Sequence, residues 1–318
     1  MMEDSACFRK DSYRLILTDS KLSGDMASFK TVSHTSHARN GRSWVVLLNG
    51  LLASKESWDA IIPTLHPHFN IAIYDGPGHG KTDFTLDSDG AIGLDQHSHY
   101  LKYFLDTIGL GLDKESSPFF LVGISNGARV GLKFAEMYEE HVHGLLALVC
   151  CSTYNNVSKP LFHKLQSWLM ANEVGGNSLR FEVALPWIWG ESFINSQSAL
   201  IDSYRKIAKD QDKDLVKSKE YQARSHALIL GAMKSSVDLR KINTPICFIV
   251  GDEDVLTPLN EHQKMHEARL CIGKKSLLKN VNGGHACLLE YPQIVTDEVI
   301  PFLNSITNGH QKKVEEFL

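Results

Sequence analysis

The chain has 318 residues, 43% of them hydrophobic and 22% charged, and a formal charge of −4. This balance excludes disordered, collagen-like and coiled-coil classes, and the mild acidity leaves no electrostatic footprint for nucleic acid. The length admits one large α/β domain or two smaller ones.

The opening stretch MMEDSACFRKD alternates charge signs and lacks an apolar h-region, so it does not read as a secretory signal. Residues 13–18 and 28–32 follow as two leading strands, read as an antiparallel pair. Next come apolar runs of strand length. WVVLL (44–48) ends at Asn49-Gly50, and IAIY (71–74) is stopped by Asp75-Gly76-Pro77-Gly78. Residues 119–122 stop at Gly123, and 145–150 and 246–250 complete the set. Runs without alternation indicate strands buried on both faces, as in a parallel sheet. Between them, His97, Tyr100, Leu101, Phe104, Leu105 and Ile108 recur at helical spacing, as do Leu132, Ala135 and Tyr138. Strand, helix, strand is the rhythm of an α/β fold with crossover units.

Residues 154–237 break that rhythm. They lack a clear buried strand and hold Trp168, Trp187 and Trp189, which suggests a helical insertion within one α/β domain. The tail from Asn308 is polar and reads as frayed. No run reaches the ~18–20 apolar residues of a membrane span. The six cysteines (Cys7, Cys150, Cys151, Cys247, Cys271, Cys287) show no C-x-x-C spacing. They read as reduced thiols, with a cytoplasmic location as the default.

Gly123-Ile124-Ser125-Asn126-Gly127 fits G-x-S-x-G. A serine at a tight strand-to-helix turn is held exposed on strained backbone, and the glycines let the chain turn without side-chain clashes. The pattern arises by chance about once in ten chains of this length, so context decides. Here a strand (119–122) precedes it and a helix-forming stretch, ARVGLKFAEMY, follows. A nucleophilic serine needs a base, and the base needs an orienting acid. Gly283-Gly284-His285 offers an imidazole on a glycine loop, and the loop after residues 246–250 offers Asp252 and Asp254. A carboxylate just past a parallel strand lies at the sheet edge where α/β sites form.

Five blocks in this order resemble the α/β-hydrolase fold superfamily, in its esterase, lactonase and haloperoxidase-like branch. They are LLNGLLASKESW (47–58), YDGPGHGKT (74–82), GISNGA (123–128), GDEDVLTP (251–258) and GGHACLLEYP (283–292). The resemblance implies a mostly parallel central sheet flanked by helices, formed by residues 1–153 and 238–318, with a helical cap at 154–237. It implies Ser125 as nucleophile, His285 as general base and Asp254 as its orienter, because G-x-x-D-x-x-x-P runs from Gly251 to Pro258. The oxyanion hole falls to the backbone N–H groups of Leu51 and Asn126, with Asn49-Gly50 where the family has His-Gly. The aromatic cap implies an apolar pocket, with Trp187 and Trp189 as substrate-binding candidates.

The implied activity is a serine hydrolase cleaving a carboxylic ester, lactone or thioester of an apolar, small-to-medium acyl compound, with no cofactor. An acyltransferase, a carbon–carbon bond hydrolase or a slow-turnover receptor of the same fold are the alternatives, since fold does not fix reaction. GPGHGKT (76–82) nearly matches a phosphate-binding P-loop, but Asp75 stands where its first glycine belongs and the next helix pattern begins only near Gly93. His34/His37, His66/His68, His97/His99 and His141/His143 lack added ligands at metal spacing, so no metal site is expected. Arg129 reads as a solvent-facing or ion-paired residue.

Overall fold

A computed structural model describes residues 11–16, 26–32, 42–80, 82, 84, 86, 89–111 and 117–315. Among them eight strands form one sheet: β1 (Asp11–Ile16), β2 (Met26–Val32), β3 (Trp44–Leu48), β4 (Asn70–Tyr74), β5 (Phe119–Ile124), β6 (Leu145–Cys151), β7 (Ile246–Gly251) and β8 (Ser276–Val281). Their order is β1-β2-β4-β3-β5-β6-β7-β8. β1 pairs antiparallel with β2, and β2 with β4. The other six strands are parallel.

Every residue of β3, β4, β5 and β7 is buried, which is why these runs are apolar without alternation. β8 is the strand that the apolar-run pattern passes over. It is an edge strand whose residues are all half-buried or exposed, so Lys279 and Asn280 interrupt the pattern.

Alternate side chains of the strands feed two cores. Val46, Leu48, Leu121, Leu148 and Phe248 pack on one face with α2 (Leu94–Thr107) and α3 (Asn126–Tyr138). Val45, Leu47, Phe120, Val149 and Ile249 face the other way, toward α1 (Ile62–Leu65) and the C-terminal elements.

Four helices run between β6 and β7: α4 (Lys159–Ile188), α5 (Glu191–Ser196), α6 (Ser198–Lys213) and α7 (Leu215–Lys234). α4 is broken at Gly175 and Gly176, where φ is +63° at Gly176. The Asp212 carboxylate caps the resumed helix by accepting from the N–H groups of Asn177 and Ser178 at 3.0 and 2.8 Å. After β7 come α8 (Leu259–Cys271), α9 (Cys287–Glu290) and α10 (Ile300–Glu315). The backbone of α10 continues helically to Glu315, where a frayed tail was expected from polarity alone. No helix among the described residues is long and apolar enough to cross a membrane.

In the sheet, β3 has β4 on one side and β5 on the other. The chain therefore reverses its direction of travel across the sheet at β3. Ligands of open α/β sheets bind outside the carboxyl ends of strands at such a switch point. Here those ends carry Asn49-Gly50-Leu51 and Ser125.

Candidate active site

Ser125 links β5 to α3 with φ +55° and ψ −121°, outside the regions that L-residues favour. Both glycines of its motif are there for space. A Cβ on Gly123 would lie 2.5 Å from the Ala128 nitrogen, and one on Gly127 would lie 2.3 Å from the Leu48 carbonyl oxygen. The turn is pinned by the Ser125 N–H, which donates to Cys151 O at 2.8 Å. The strain at Ser125 is thus imposed by a helix packed tightly onto two strand ends.

His285 stands on the loop between β8 and α9, 3% exposed. Its Nδ1 lies 3.0 Å from Asp254 Oδ2 and 3.3 Å from Oδ1. Asp254 is itself fixed. Its carboxylate accepts from the backbone N–H of Leu256 and Thr257 at 2.9 and 2.8 Å, and from the Thr257 hydroxyl at 2.8 Å. Burial pushes the Asp254 carboxyl up, but the charge and hydrogen bond of His285 and the Thr257 donors outweigh it and hold it below the usual carboxylate range. The second ring nitrogen of His285, Nε2, is buried without a hydrogen-bond partner. Asp252 is elsewhere: it is exposed, and its Oδ1 accepts from the Gly283 N–H at 3.0 Å.

Ser125, His285, Leu51 and Asn126 line one cavity of about 120 Å³. The cavity wall also includes Gly50, Leu161, Leu165, Trp168, Ile188 and Leu256. Trp187 and Trp189 do not line it. Trp187 stacks behind Trp168, with ring centroids 6.2 Å apart, and Trp189 is sandwiched between Phe193 and Tyr204 at 5.1 and 5.7 Å. Trp168, 19 and 21 residues earlier in the chain, supplies the aromatic wall instead. Nothing in the sequence ranks these three tryptophans of one stretch.

Asn49 fills the wall behind the Leu51 turn. Its Nδ2 donates to Tyr74 O at 3.2 Å and lies 3.4 Å from Asp75 Oδ1, while its Oδ1 accepts from Trp58 Nε1 at 2.9 Å. Asp75 also takes the Lys55 backbone N–H at 2.7 Å and pairs with Lys55 Nζ at 2.8 Å. This ion pair is buried. Burial opposes the Lys55 charge, but Asp75 outweighs that and raises the ammonium above its usual range. Gly80, at φ +51°, wraps the same carboxylate so closely that a Cβ would meet Asp75 Oδ2 at 2.2 Å. The glycine turn after β4 therefore encloses an acid of its own, and α2 starts only at Leu94, so the P-loop likeness is one of spelling.

Arg129 departs from the sequence reading. It is fully buried and has no carboxylate among its bonded partners in the described residues. Its guanidinium donates to Asn126 Oδ1 at 3.2 Å, to the Tyr154 hydroxyl at 3.1 Å, and to the carbonyls of Ala232 and Ser235 at 3.0 and 2.6 Å. It also stacks 4.1 Å over the Tyr154 ring. The Tyr154 side chain, between β6 and α4, and the backbone at the end of α7 converge on it, which no spacing in the sequence signals.

His262 of α8 was likewise missed. Its Nε2 accepts from the Thr153 N–H at 2.9 Å, so the proton sits on Nδ1, 3.3 Å from Pro258 O. Thr153 in turn donates to Ser125 O at 3.3 Å. Burial holds the His262 imidazole down at about 4. The pairs His34/His37 lie outside the described residues. Among the described residues no group of three or more His, Cys, Asp or Glu gathers to hold a metal.

A family model for the alpha/beta hydrolase fold matches residues 43–292. The chain belongs to the alpha/beta hydrolase fold family. It is 25% identical over 280 residues to the monoacylglycerol lipase abhd6-B of Xenopus laevis, covering 84% of this chain and 78% of that protein. Among solved structures it is similar to MGS-M2, an alpha/beta hydrolase enzyme from a Medee basin deep-sea metagenome library. The TM-score is 0.77 at 21% identity, over 92% of this chain and 97% of that one. The enol-lactonase of Burkholderia xenovorans LB400 gives a TM-score of 0.70 at 17% identity, over 88% of this chain and 97% of that one. At these identities the two structures speak for the fold.

Proposed function

We propose that this protein is a serine hydrolase that cleaves a carboxylic ester, lactone or thioester of an apolar acyl compound through an acyl-enzyme. The observation that carries the reading is His285. One ring nitrogen is engaged by a fixed Asp254, the other is buried and unpartnered, and the ring shares a cavity wall with a strained Ser125. That is how a base is left ready for a serine proton.

In the proposed cycle, His285 Nε2 takes the Ser125 proton as Oγ attacks the carbonyl carbon. The N–H groups of Leu51 and Asn126 receive the oxyanion, aided by the N-terminus of α3. The imidazolium then protonates the leaving alcohol or thiol, the carbonyl re-forms, and the acyl-enzyme remains. Water, deprotonated by His285, repeats the attack and releases the acid. Residues 154–237 serve as the cap, contributing Leu161, Leu165, Trp168 and Ile188 to the acyl pocket. A cavity of about 120 Å³ is comparable to an engineered ~150 Å³ apolar cavity that binds benzene, which supports a small-to-medium acyl group. The relative named as a monoacylglycerol lipase favours an oxygen ester over other acyl derivatives.

A fluorophosphonate probe tests the reading directly. The expected adduct is on Ser125 and is lost in Ser125→Ala. No labelling, or labelling that survives that substitution, overturns it. A series of p-nitrophenyl esters should then show butyrate and hexanoate turned over faster than palmitate.

A further inference from the structure

The proposed cycle does not use Glu290, although it is a buried carboxylate, 7% exposed, close to the base. Both of its oxygens accept from the Gly284 N–H, Oε1 at 3.1 Å and Oε2 at 3.0 Å, and Oε1 also accepts from the Gly190 N–H at 3.2 Å. Gly284 immediately precedes His285. Gly190 belongs to the strap, residues 188–192, that joins α4 to α5 in the cap. On the other side of His285, the Ala286 N–H donates to Ile188 O of the same strap at 3.0 Å. The base is therefore flanked on both sides by bonds to the cap, one direct and one through Glu290.

The acid loop holds the strap too. Glu253, the neighbour of Asp254, accepts from the Ser192 N–H at 3.0 Å and from the Ser192 hydroxyl. The two backbones meet without room for side chains. A Cβ on Gly284 would lie 2.3 Å from the Gly190 nitrogen, and one on Gly190 would lie 2.4 Å from Glu253 Oε2. A carboxylate that accepts from two separate chain segments fixes their relative position more firmly than a neutral acceptor, because the bonds are charge-assisted.

We propose that Glu290 is a positioning residue that locks the cap strap to the loop of the general base, so that His285 is held in place only while the cap is seated. Cap seating and assembly of the base are then one event. Lifting residues 188–192 breaks the Ala286 and Gly190 bonds together and frees the loop that carries the imidazole. The inference rests on the hydrolase reading for its effect on turnover, and on geometry alone for the coupling of strap and loop.

Hydrogen exchange with mass spectrometry on the full chain, together with steady-state kinetics, separates the two. In Glu290→Gln, exchange is expected to rise about tenfold in peptides covering both 188–192 and 283–289, with β5 and α3 unchanged. With p-nitrophenyl butyrate, kcat is expected to fall about tenfold while KM stays within twofold. Joint loosening in a protein that turns over no ester would sink the hydrolase reading and leave the lock standing. Exchange unchanged in either segment, or KM rising in step with a constant kcat, overturns the lock. Ser192→Pro gives a second handle if Glu290→Gln fails to fold. It removes both the N–H and the hydroxyl that Ser192 gives to Glu253, at the exposed second residue of α5. The expected result is faster exchange over both 188–194 and 283–289 and about a threefold drop in kcat at an unchanged melting temperature; exchange unchanged over 283–289 overturns the proposal.

Discussion

The sheet edge and the helical segment above it are built by different rules. At the edge, positions are over-determined. Gly123, Gly127 and Gly80 have no space for a methyl group, Asp254 accepts three bonds before His285 is counted, and the Lys55–Asp75 pair is buried. The helical segment is looser. α4 breaks at Gly175 and Gly176, and Met170, Val174, Ile207, Leu215 and Val216 stand more than half exposed. It rests on a small apolar cluster of Tyr154, Leu161, Leu165, Trp168, Ile229 and Leu256, five of whose members also line the cavity. The contrast teaches a division of labour. In the proposed reading, rigid strand ends fix the reacting groups, while the seam between the two regions fixes what fits beside them.

If that division holds, substitutions at the edge should strike rate or folding, and substitutions in the seam should strike selectivity. The largest effect is expected for Asp254→Asn, which should lower kcat about 10⁴-fold by misplacing the imidazole tautomer, while Asp252→Asn stays within threefold. Steady-state kinetics on a p-nitrophenyl ester compares them, and equal losses would mean that the carboxylate pairing is misassigned. Gly127→Ala should cost about 3 kcal/mol or more, or prevent folding, since its Cβ meets backbone rather than a movable side chain. Urea melts measure this; a variant as stable as the parent would show that the elbow has slack.

Acid should also reach the edge through His262. Its folded value of about 4 lies below the ordinary imidazole value of about 6.5, so the unfolded chain binds the extra proton first. Its contribution is fully present above pH 6.5 and is lost as pH falls from about 6.5 to about 4, amounting to about 3 kcal/mol. Burial also pushes His79 and His97 down, so they act with the same sign. Stability measured by urea melts across this window should fall less steeply in His262→Gln; an unchanged slope would mean that His262 titrates normally in the fold.

The smallest effect belongs to the seam. Leu165→Ala enlarges the cavity and, if it holds the acyl chain as proposed, should raise the kcat/KM ratio of octanoate to butyrate ester about tenfold, a few methylenes' worth of discrimination. A uniform loss for all chain lengths would instead place Leu165 with the rigid edge.

Much of this was legible in the chain before folding. Strands buried on both faces write themselves as apolar runs, so β3, β4, β5, β6 and β7 stand out; β8 does not, because an edge strand need not exclude Lys279. G-x-S-x-G carries its own steric reason, and Asp254 and His285 sit in loops whose glycines and prolines punctuate the sequence. Trp168 was hidden among three tryptophans of one helical stretch, because periodicity tells which side of a helix is apolar but not which turn reaches a cavity. Arg129 was hidden more deeply. A lone arginine four residues after a serine is ordinarily solvent-facing, and only the convergence of Tyr154, Ala232 and Ser235 makes a buried place for it.

The parallel sheet and the tight turn at Ser125 follow from burial pattern and local sterics over a few residues, whereas the preference for Asp254 over Asp252 and the order Ser125, Asp254, His285 come from the likeness to the α/β-hydrolase motifs. Tertiary structure decided which side chains wall the cavity, that Arg129 and His262 are buried, and that Glu290 joins Gly190 to Gly284. The Arg129–Tyr154, Thr153–His262 and Gly190–Glu290 bonds span 25, 109 and 100 residues of chain, and a hydrogen bond across such a distance leaves no periodic mark in the sequence.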